Sequence, residues 1–227
     1  KLKDYFFVVP DYQREYVWKP DDQVEQFLID IDNEYDANTS NQKSYFIGSI
    51  IIVENDGKYD VIDGQQRLTT IYIILSYFNR RFTEEFKKPI FSLEYETREN
   101  SKDFLLDIRK ELKDDNVDYY FIYEAYETIK NWFSDKSNFI NEFESILLNN
   151  TKVIWYEVND ESTNSIDIFT RINDGKIPLT NAELFKALFL QKDNFDSKLD
   201  LKQLQIASEW DQIEKKLQNK PVKTIPP

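Results

Sequence analysis

The sequence predicts an α+β fold: a small mixed sheet with flanking helices, followed by a mainly α-helical region. Three observations carry this. Tyr45 to Val53 and Tyr59 to Ile62 are rich in β-branched and aromatic residues and flank Asn55-Asp56-Gly57, a hairpin signal. From Leu68 onward the apolar positions Ile71, Tyr72, Leu75 and Phe78 fall on one helical face. Beyond Lys87-Lys88-Pro89, one short alternating run, Phe91, Leu93 and Tyr95, gives way to helical patterns. The expected division is residues 1–90 as a strand-and-helix core and residues 91–227 as a mainly helical region with short strands, packed on that core.

Element by element, Phe6 to Trp18 crowds aromatics around Pro10, which forces extended chain at Val9. Pro20, followed by Asp21 and Asp22, opens a helix with Val24, Phe27, Leu28, Ile31 and Tyr35 on one face. The hairpin comes next, and its return strand ends at Asp63-Gly64. Phe104, Leu105, Ile108 and Leu112 predict one helix, and Tyr119, Tyr123, Tyr126, Ile129 and Phe133 another. These aromatic stripes lack the interleaved basic residues of a nucleic-acid stacking groove and are expected in the core. Val153 to Val158 is a further strand, and Thr180-Asn181-Ala182-Glu183 is a capping box.

Composition removes several functions. The 227 residues hold 42 acidic against 29 basic side chains, a net charge of −13, so the bulk surface repels DNA and RNA. There is no His, so no HNH nuclease, histidine base or His-ligated metal can be built from these residues. The lack of Cys removes disulfides and thiolate chemistry and makes a reducing cytoplasm the expected compartment. Only Gly48, Gly57, Gly64 and Gly175 occur, too few for a Walker P-loop or a G-x-G-x-x-G fingerprint. No apolar run approaches the roughly 20 residues of a membrane span.

The functional signal lies where the strand ending Tyr59-Asp60-Val61-Ile62-Asp63 restarts as a helix at Gly64-Gln65-Gln66-Arg67-Leu68-Thr69-Thr70. A glycine turn into a helix N-terminus offers unpaired N–H groups and a positive dipole end, and Arg67 adds a permanent charge suited to phosphate. Gln65 and Gln66 have the chemistry to orient a base, a ribose or a water. Asp63 suits Mg²⁺ or a ribose hydroxyl. In the N-terminal segment, Gln13 and Arg14 sit among Tyr12, Tyr16 and Trp18, rings able to stack on a base. Arg14 and Arg67 are therefore expected to share one cleft. The competing reading makes each arginine a structural ion pair and the glutamines a solvated helical turn.

Tyr12-Gln13-Arg14-Glu15-Tyr16-Val17-Trp18 followed by Asp63-Gly64-Gln65-Gln66-Arg67-Leu68-Thr69-Thr70 resembles the paired YQRxYxW and DGQQRLTT motifs of the N-terminal domain of GmrSD-type, modification-dependent restriction systems. That family was long catalogued as a domain of unknown function, and its fold is similar to ParB and sulfiredoxin. Tyr95-Glu96-Thr97-Arg98 is similar to its YExR element. Ile168-Phe169-Thr170-Arg171-Ile172-Asn173, with Gly175 and Leu179, and then Glu183-Leu184-Phe185-Lys186-Ala187, are similar to its later segments.

The resemblance implies a nucleotide-binding, NTP-hydrolysing regulatory domain of a restriction or phage-defence protein, using Mg²⁺ and a nucleoside triphosphate. It implies catalytic roles for Asp63, Gln66 and Arg67, with Asp63 on the metal. Tyr12, Gln13, Arg14, Trp18, Gly64, Gln65, Thr69, Thr70 and Lys186 form the expected nucleotide-binding set, Lys186 on the resemblance alone. Expected partners are the nucleotide, an HNH-type nuclease region or subunit, modified DNA reached only through the full-length protein, and a second copy of the chain. A membrane is not among them. The alternatives are a non-catalytic ligand-sensing scaffold or a carboxylate and lysine nuclease. The Glu-x-Lys triplets at Glu85-Phe86-Lys87 and Glu111-Leu112-Lys113 fall in helical patterns and not on the strand a nuclease needs.

Overall fold

The computed structural model describes residues 1–33, 44–98, 100–158, 165–173, 202, 205–210 and 213. Five strands form one mixed sheet: β1 (Phe6–Val9), β2 (Tyr45–Asn55), β3 (Lys58–Asp63), β4 (Ser92–Tyr95) and β5 (Thr151–Glu157), in the order β4-β1-β3-β2-β5. β1 runs parallel to both β3 and β4, β2 and β3 form the expected antiparallel hairpin, and β5 lies parallel to β2. The hairpin closes through Asp56 and Gly57, both at positive φ (50° and 77°), the mirror-image turn whose twist matches paired strands. Two of the five strands come from beyond residue 90, so the later region completes the sheet that the first region starts.

The helices are α1 (Glu25–Asn33), α2 (Gln65–Asn79), α3 (Ser101–Leu106), α4 (Val117–Ser134), α5 (Ile140–Ser145) and α6 (Ser165–Asn173). Pro20 does start a helical segment, but its first turn is a wide π-type one from Pro20 to Val24 before α1 proper. Asn116 caps α4 by accepting from the Tyr119 N–H at 2.9 Å. The single helix expected across Phe104 to Leu112 is broken. Arg80 takes the Ile108 carbonyl at 2.6 Å and pairs with Asp107 at 3.3 Å, so α3 ends at Leu106 and the chain resumes as a 3-10 turn at Lys110–Leu112. The two Glu-x-Lys triplets fall at 3-10 turns, off the sheet.

Alternation along the strands separates two cores. Phe7, Val9, Ile50, Ile52 and Val61 face the main one with α1, α2 and α4, where Tyr119 stacks on Phe104 at a centroid distance of 3.8 Å. Ile62, Ile51 and Val53 face the opposite side, packed with Tyr12, Ile166, Ile168, Phe169 and Ala207. Among the described residues no helix is long and apolar enough to cross a membrane.

Candidate functional site

Because β1, β3 and β4 are parallel, the chain leaves all three at the same end of the sheet. Three connections therefore gather there: residues 10–18 after β1, the Gly64 turn after β3, and residues 96–100 after β4. The carboxyl ends of parallel strands are where open α/β sheets hold ligands. β2 runs the other way and pairs Ile51 with Asp63, which brings Gly48 and Ser49 to the same place.

Gly64 sits at φ 99° as the N-cap of α2, and a Cβ there would lie 3.0 Å from the Ser49 carbonyl and 3.2 Å from Ile50 Cα. The backbone conformation and the close approach of β2 thus each require glycine. Gly48, at φ 109°, does the same for Arg67: a Cβ would stand 3.1 Å from the guanidinium carbon. Arg67 lies half-buried across this bulged stretch of β2 and donates through Nη1 to the Ser49 carbonyl. Among the described residues it has no carboxylate partner. Nor do the first-turn N–H groups of Gln65, Gln66 and Arg67 find an acceptor among those residues. A half-buried guanidinium beside an uncapped helix N-terminus is a locally positive spot on a chain of net charge −13.

The two motifs meet through main chain and amides. Gln65 Nε2 donates to the Arg14 carbonyl at 2.8 Å. Gln66 Nε2 donates to the Glu15 carbonyl at 2.8 Å, while its Oε1 accepts from the N–H groups of Val17 (3.0 Å) and Trp18 (3.2 Å). Gln13 answers from the other side, its Nε2 donating to the carbonyls of Val61 (3.1 Å) and Ile62 (2.8 Å). The glutamines are not a solvated turn; all three are buried and hold the 10–18 loop against the start of α2. Arg14 presents an exposed side chain, so the motifs meet with one arginine outside and one tucked against β2.

Around this clamp the hydroxyl groups pair. Thr70 Oγ1 meets the Tyr16 hydroxyl at 2.9 Å and Thr69 Oγ1 meets the Tyr95 hydroxyl at 2.7 Å. Burial pushes the pKa of Tyr16 and of Tyr95 well above the ordinary phenol value, because the phenolate would be enclosed without solvent. Tyr12 packs its ring on Phe169 (5.4 Å) in the second core, and Trp18, half-buried, packs on Phe27 (5.6 Å). Tyr16 is fully enclosed, so Trp18 is the least covered of the three rings expected to stack. Asp63 lies half-buried at the end of β3. Lys186, with Gly175, Leu179 and the capping box at Thr180, lies outside the described residues.

Three contributors carried no mark in the sequence. Gly48 and Ser49 seat Arg67 only because β2 runs antiparallel to β3. Asp118, one of many acidic residues, is 1 % exposed and accepts from the Tyr16 N–H at 2.5 Å and from Arg98 Nε at 2.6 Å. Its one local sign is its place in the first turn of a capped helix. The Tyr95 to Arg98 element holds the same loop, with Glu96 Oε2 accepting from the Asp11 N–H at 3.0 Å. A cleft of about 470 Å³ lies along β1, β3 and β4, lined by Lys58, Glu94, Glu96, Arg98 and Lys102 among others, but none of Asp63 to Arg67 lines it. Among the described residues no three His, Cys, Asp or Glu side chains gather to hold a metal.

A search of curated proteins finds no match to this chain. The family model for the N-terminal domain of GmrSD restriction endonucleases matches residues 1–190. That span includes β1 to β5, the clamp of residues 10–18, and the Gly64 turn. With most of its length covered by that one model, the chain belongs to the family of GmrSD restriction endonuclease N-terminal domains.

Proposed function

We propose that the junction of β3 and α2 binds the phosphates of a nucleoside triphosphate, and that the domain hydrolyses it as the regulatory part of a restriction protein. One observation carries the binding reading: Arg67, half-buried, without a carboxylate partner among the described residues, beside first-turn N–H groups that lack acceptors. Arg14, whose carbonyl rests on Gln65, supplies a second cation from the covering loop. Asp63 fits a Mg²⁺ ion that arrives with the phosphates, since Mg²⁺ needs only one or two carboxylates when a nucleotide supplies the remaining oxygens. The ion would add charge neutralisation at the phosphates; the chain's own part is to seat and orient them. Hydrolysis, and the roles of Thr69, Thr70 and Lys186, rest on the family resemblance.

The commitment of Gln66 to the loop through both ends of its amide favours a second reading, a ligand-sensing domain without turnover, because that amide is not left to orient a water. The experiment is a titration of the purified chain with ATP, GTP, CTP and UTP, with and without Mg²⁺, followed by phosphate-release measurements. A triphosphate that binds far better than its nucleoside is expected. Replacing Arg67 with Ala should weaken that binding by 1.5–3 kcal/mol, roughly ten- to a hundredfold, and Arg14→Ala somewhat less. Nucleoside and triphosphate binding alike, or both variants titrating as wild type, would overturn the reading. Binding without phosphate release would select the sensing domain.

DNA cleavage belongs to another segment or subunit on this reading, since His is absent and the Glu-x-Lys triplets lie at 3-10 turns. With a net charge of −13 the chain should not retain unmodified duplex at physiological salt. A gel-shift and plasmid-nicking assay checks both points, and metal-dependent nicking by this chain alone would promote the nuclease reading.

A further inference from the structure

We propose that Asp118, at the start of α4, is a positioning residue for the anion site at the start of α2, acting through the main chain of Tyr16. The inference rests on the nucleotide-binding reading above. The 10–18 loop is held largely by side chains of other elements: Glu96 at Asp11, Gln65 at Arg14, Gln66 at Glu15, Val17 and Trp18. Those ties come from segments that the family motifs already single out. The tie at Tyr16 comes from a residue 102 positions away, on a helix that no motif marks.

Both Asp118 oxygens are committed, Oδ1 to the Tyr16 N–H and Oδ2 to Arg98 Nε at 2.6 Å. The Arg98 side chain is 9 % exposed, with Nη1 on Thr97 Oγ1 at 2.6 Å and Nη2 3.8 Å from Glu15. Tyr16 is thus pinned twice, its N–H to α4 and its hydroxyl to Thr70 on α2. The residue two before it is Arg14, so the register of Tyr16 sets where the loop's cation stands relative to Arg67. A buried Asp–Arg pair is a poor way to gain stability, because desolvation of both charges offsets their attraction and apolar side chains of similar volume often do better. What the pair supplies and apolar side chains cannot is an acceptor for one particular N–H.

Three variants of the whole chain test this, each read by triphosphate titration with ATP, GTP, CTP and UTP and by amide exchange across residues 11–18 without nucleotide. Asp118→Leu with Arg98→Leu removes the tie and both charges. Because it also leaves the Tyr16 N–H without its acceptor and Glu15 without Arg98, it should unfold somewhat below the wild-type temperature, lose about tenfold or more in affinity, and exchange faster at residues 14–18. Asp118→Asn with Arg98→Gln restores a neutral acceptor at Tyr16 and should return affinity and protection to near wild type. Asp118→Ala should resemble the double-Leu protein in binding, with lower stability; if it does not fold, the two double variants carry the comparison.

Wild-type affinity in the double-Leu protein overturns the proposal, as does lost affinity with unchanged exchange, or no recovery in the Asn/Gln protein. A wild-type chain that binds none of the four triphosphates is a different failure, that of the nucleotide reading itself. It takes the positioning role down with it, while the exchange data still report whether Asp118 holds the loop.

Discussion

The two ends of α2 make opposite use of burial. At its C-terminal half, Ile73, Ile74 and Phe78 are buried in the main core, and Phe78 meets aromatic rings of other helices. Phe133 lies 5.4 Å from Phe78, Phe143 lies 6.3 Å away, and Tyr77 stacks on Phe133 at 5.6 Å. At its first turns the equally buried residues are Gln65, Gln66, Thr69 and Thr70, each bonded through its side chain to a neighbouring loop or hydroxyl. One end adheres without direction, since apolar area is indifferent to small shifts. The other is directional, since every bond there fixes a distance and an angle. The difference separates the part of α2 that stabilises the domain from the part that shapes a site.

The comparison is broken hardest at the apolar end. Phe78→Ala should cost about 3–5 kcal/mol in chemical denaturation, through lost transfer energy plus a cavity, while folded molecules keep wild-type triphosphate affinity. Gln66→Ala comes next at the polar end. It leaves one carbonyl and two N–H groups of the loop without partners, which should cost on the order of 2–3 kcal/mol and, unlike Phe78→Ala, also remove triphosphate binding. Gly64→Ala should lose about 2 kcal/mol, because its φ of 99° and the Ser49 carbonyl both oppose a Cβ; a melting curve matching wild type would deny that close approach. Smallest is Thr70→Val, about 1 kcal/mol, from stranding the Tyr16 hydroxyl.

A pH series sharpens the same contrast. Tyr16 and Tyr95 belong to the polar end, and burial raises both well above the ordinary phenol pKa of about 10. A raised phenol keeps its proton longer when folded than when unfolded. Stability is therefore fully present below about pH 10 and declines as pH climbs toward the folded pKa values, by up to about 1.4 kcal/mol per pH unit for each group. Tyr72, on the same helix, is pushed up to about 12 by burial alone and adds to the decline. Denaturation midpoints at pH 9, 10 and 11 measure it, and Tyr16→Phe should flatten the fall. An unchanged slope in that variant would mean Tyr16 titrates freely.

Much of the fold was legible because its signals are local. The Asn55-Asp56-Gly57 turn, the stripe of α2, the Asn116-capped α4 and the run that became β5 each depend on residues within one or two turns of chain. The break at Asp107 was not legible: Arg80, distant in sequence, takes the carbonyl that the next helical turn would have used. The motif residues were legible as a set, but what each side chain does was less so. Glutamines suited to orienting a ligand turned out to be bonded to main chain, because a loop without its own ladder must find partners for its buried N–H and carbonyl groups.

The sequence by itself determined the family, the glycine turn into α2, the acidic body that sets two arginines apart, and the absence of histidine and cysteine chemistry. Those are matters of residue identity and short spacing. Tertiary structure alone decided that β1, β3 and β4 would end together, that an antiparallel β2 would seat Arg67 on Gly48 and Ser49, and that Asp118 would reach Tyr16 across 102 positions of chain. Strand direction and order are settled by which buried faces pack best over the whole domain, and no local pattern encodes that choice.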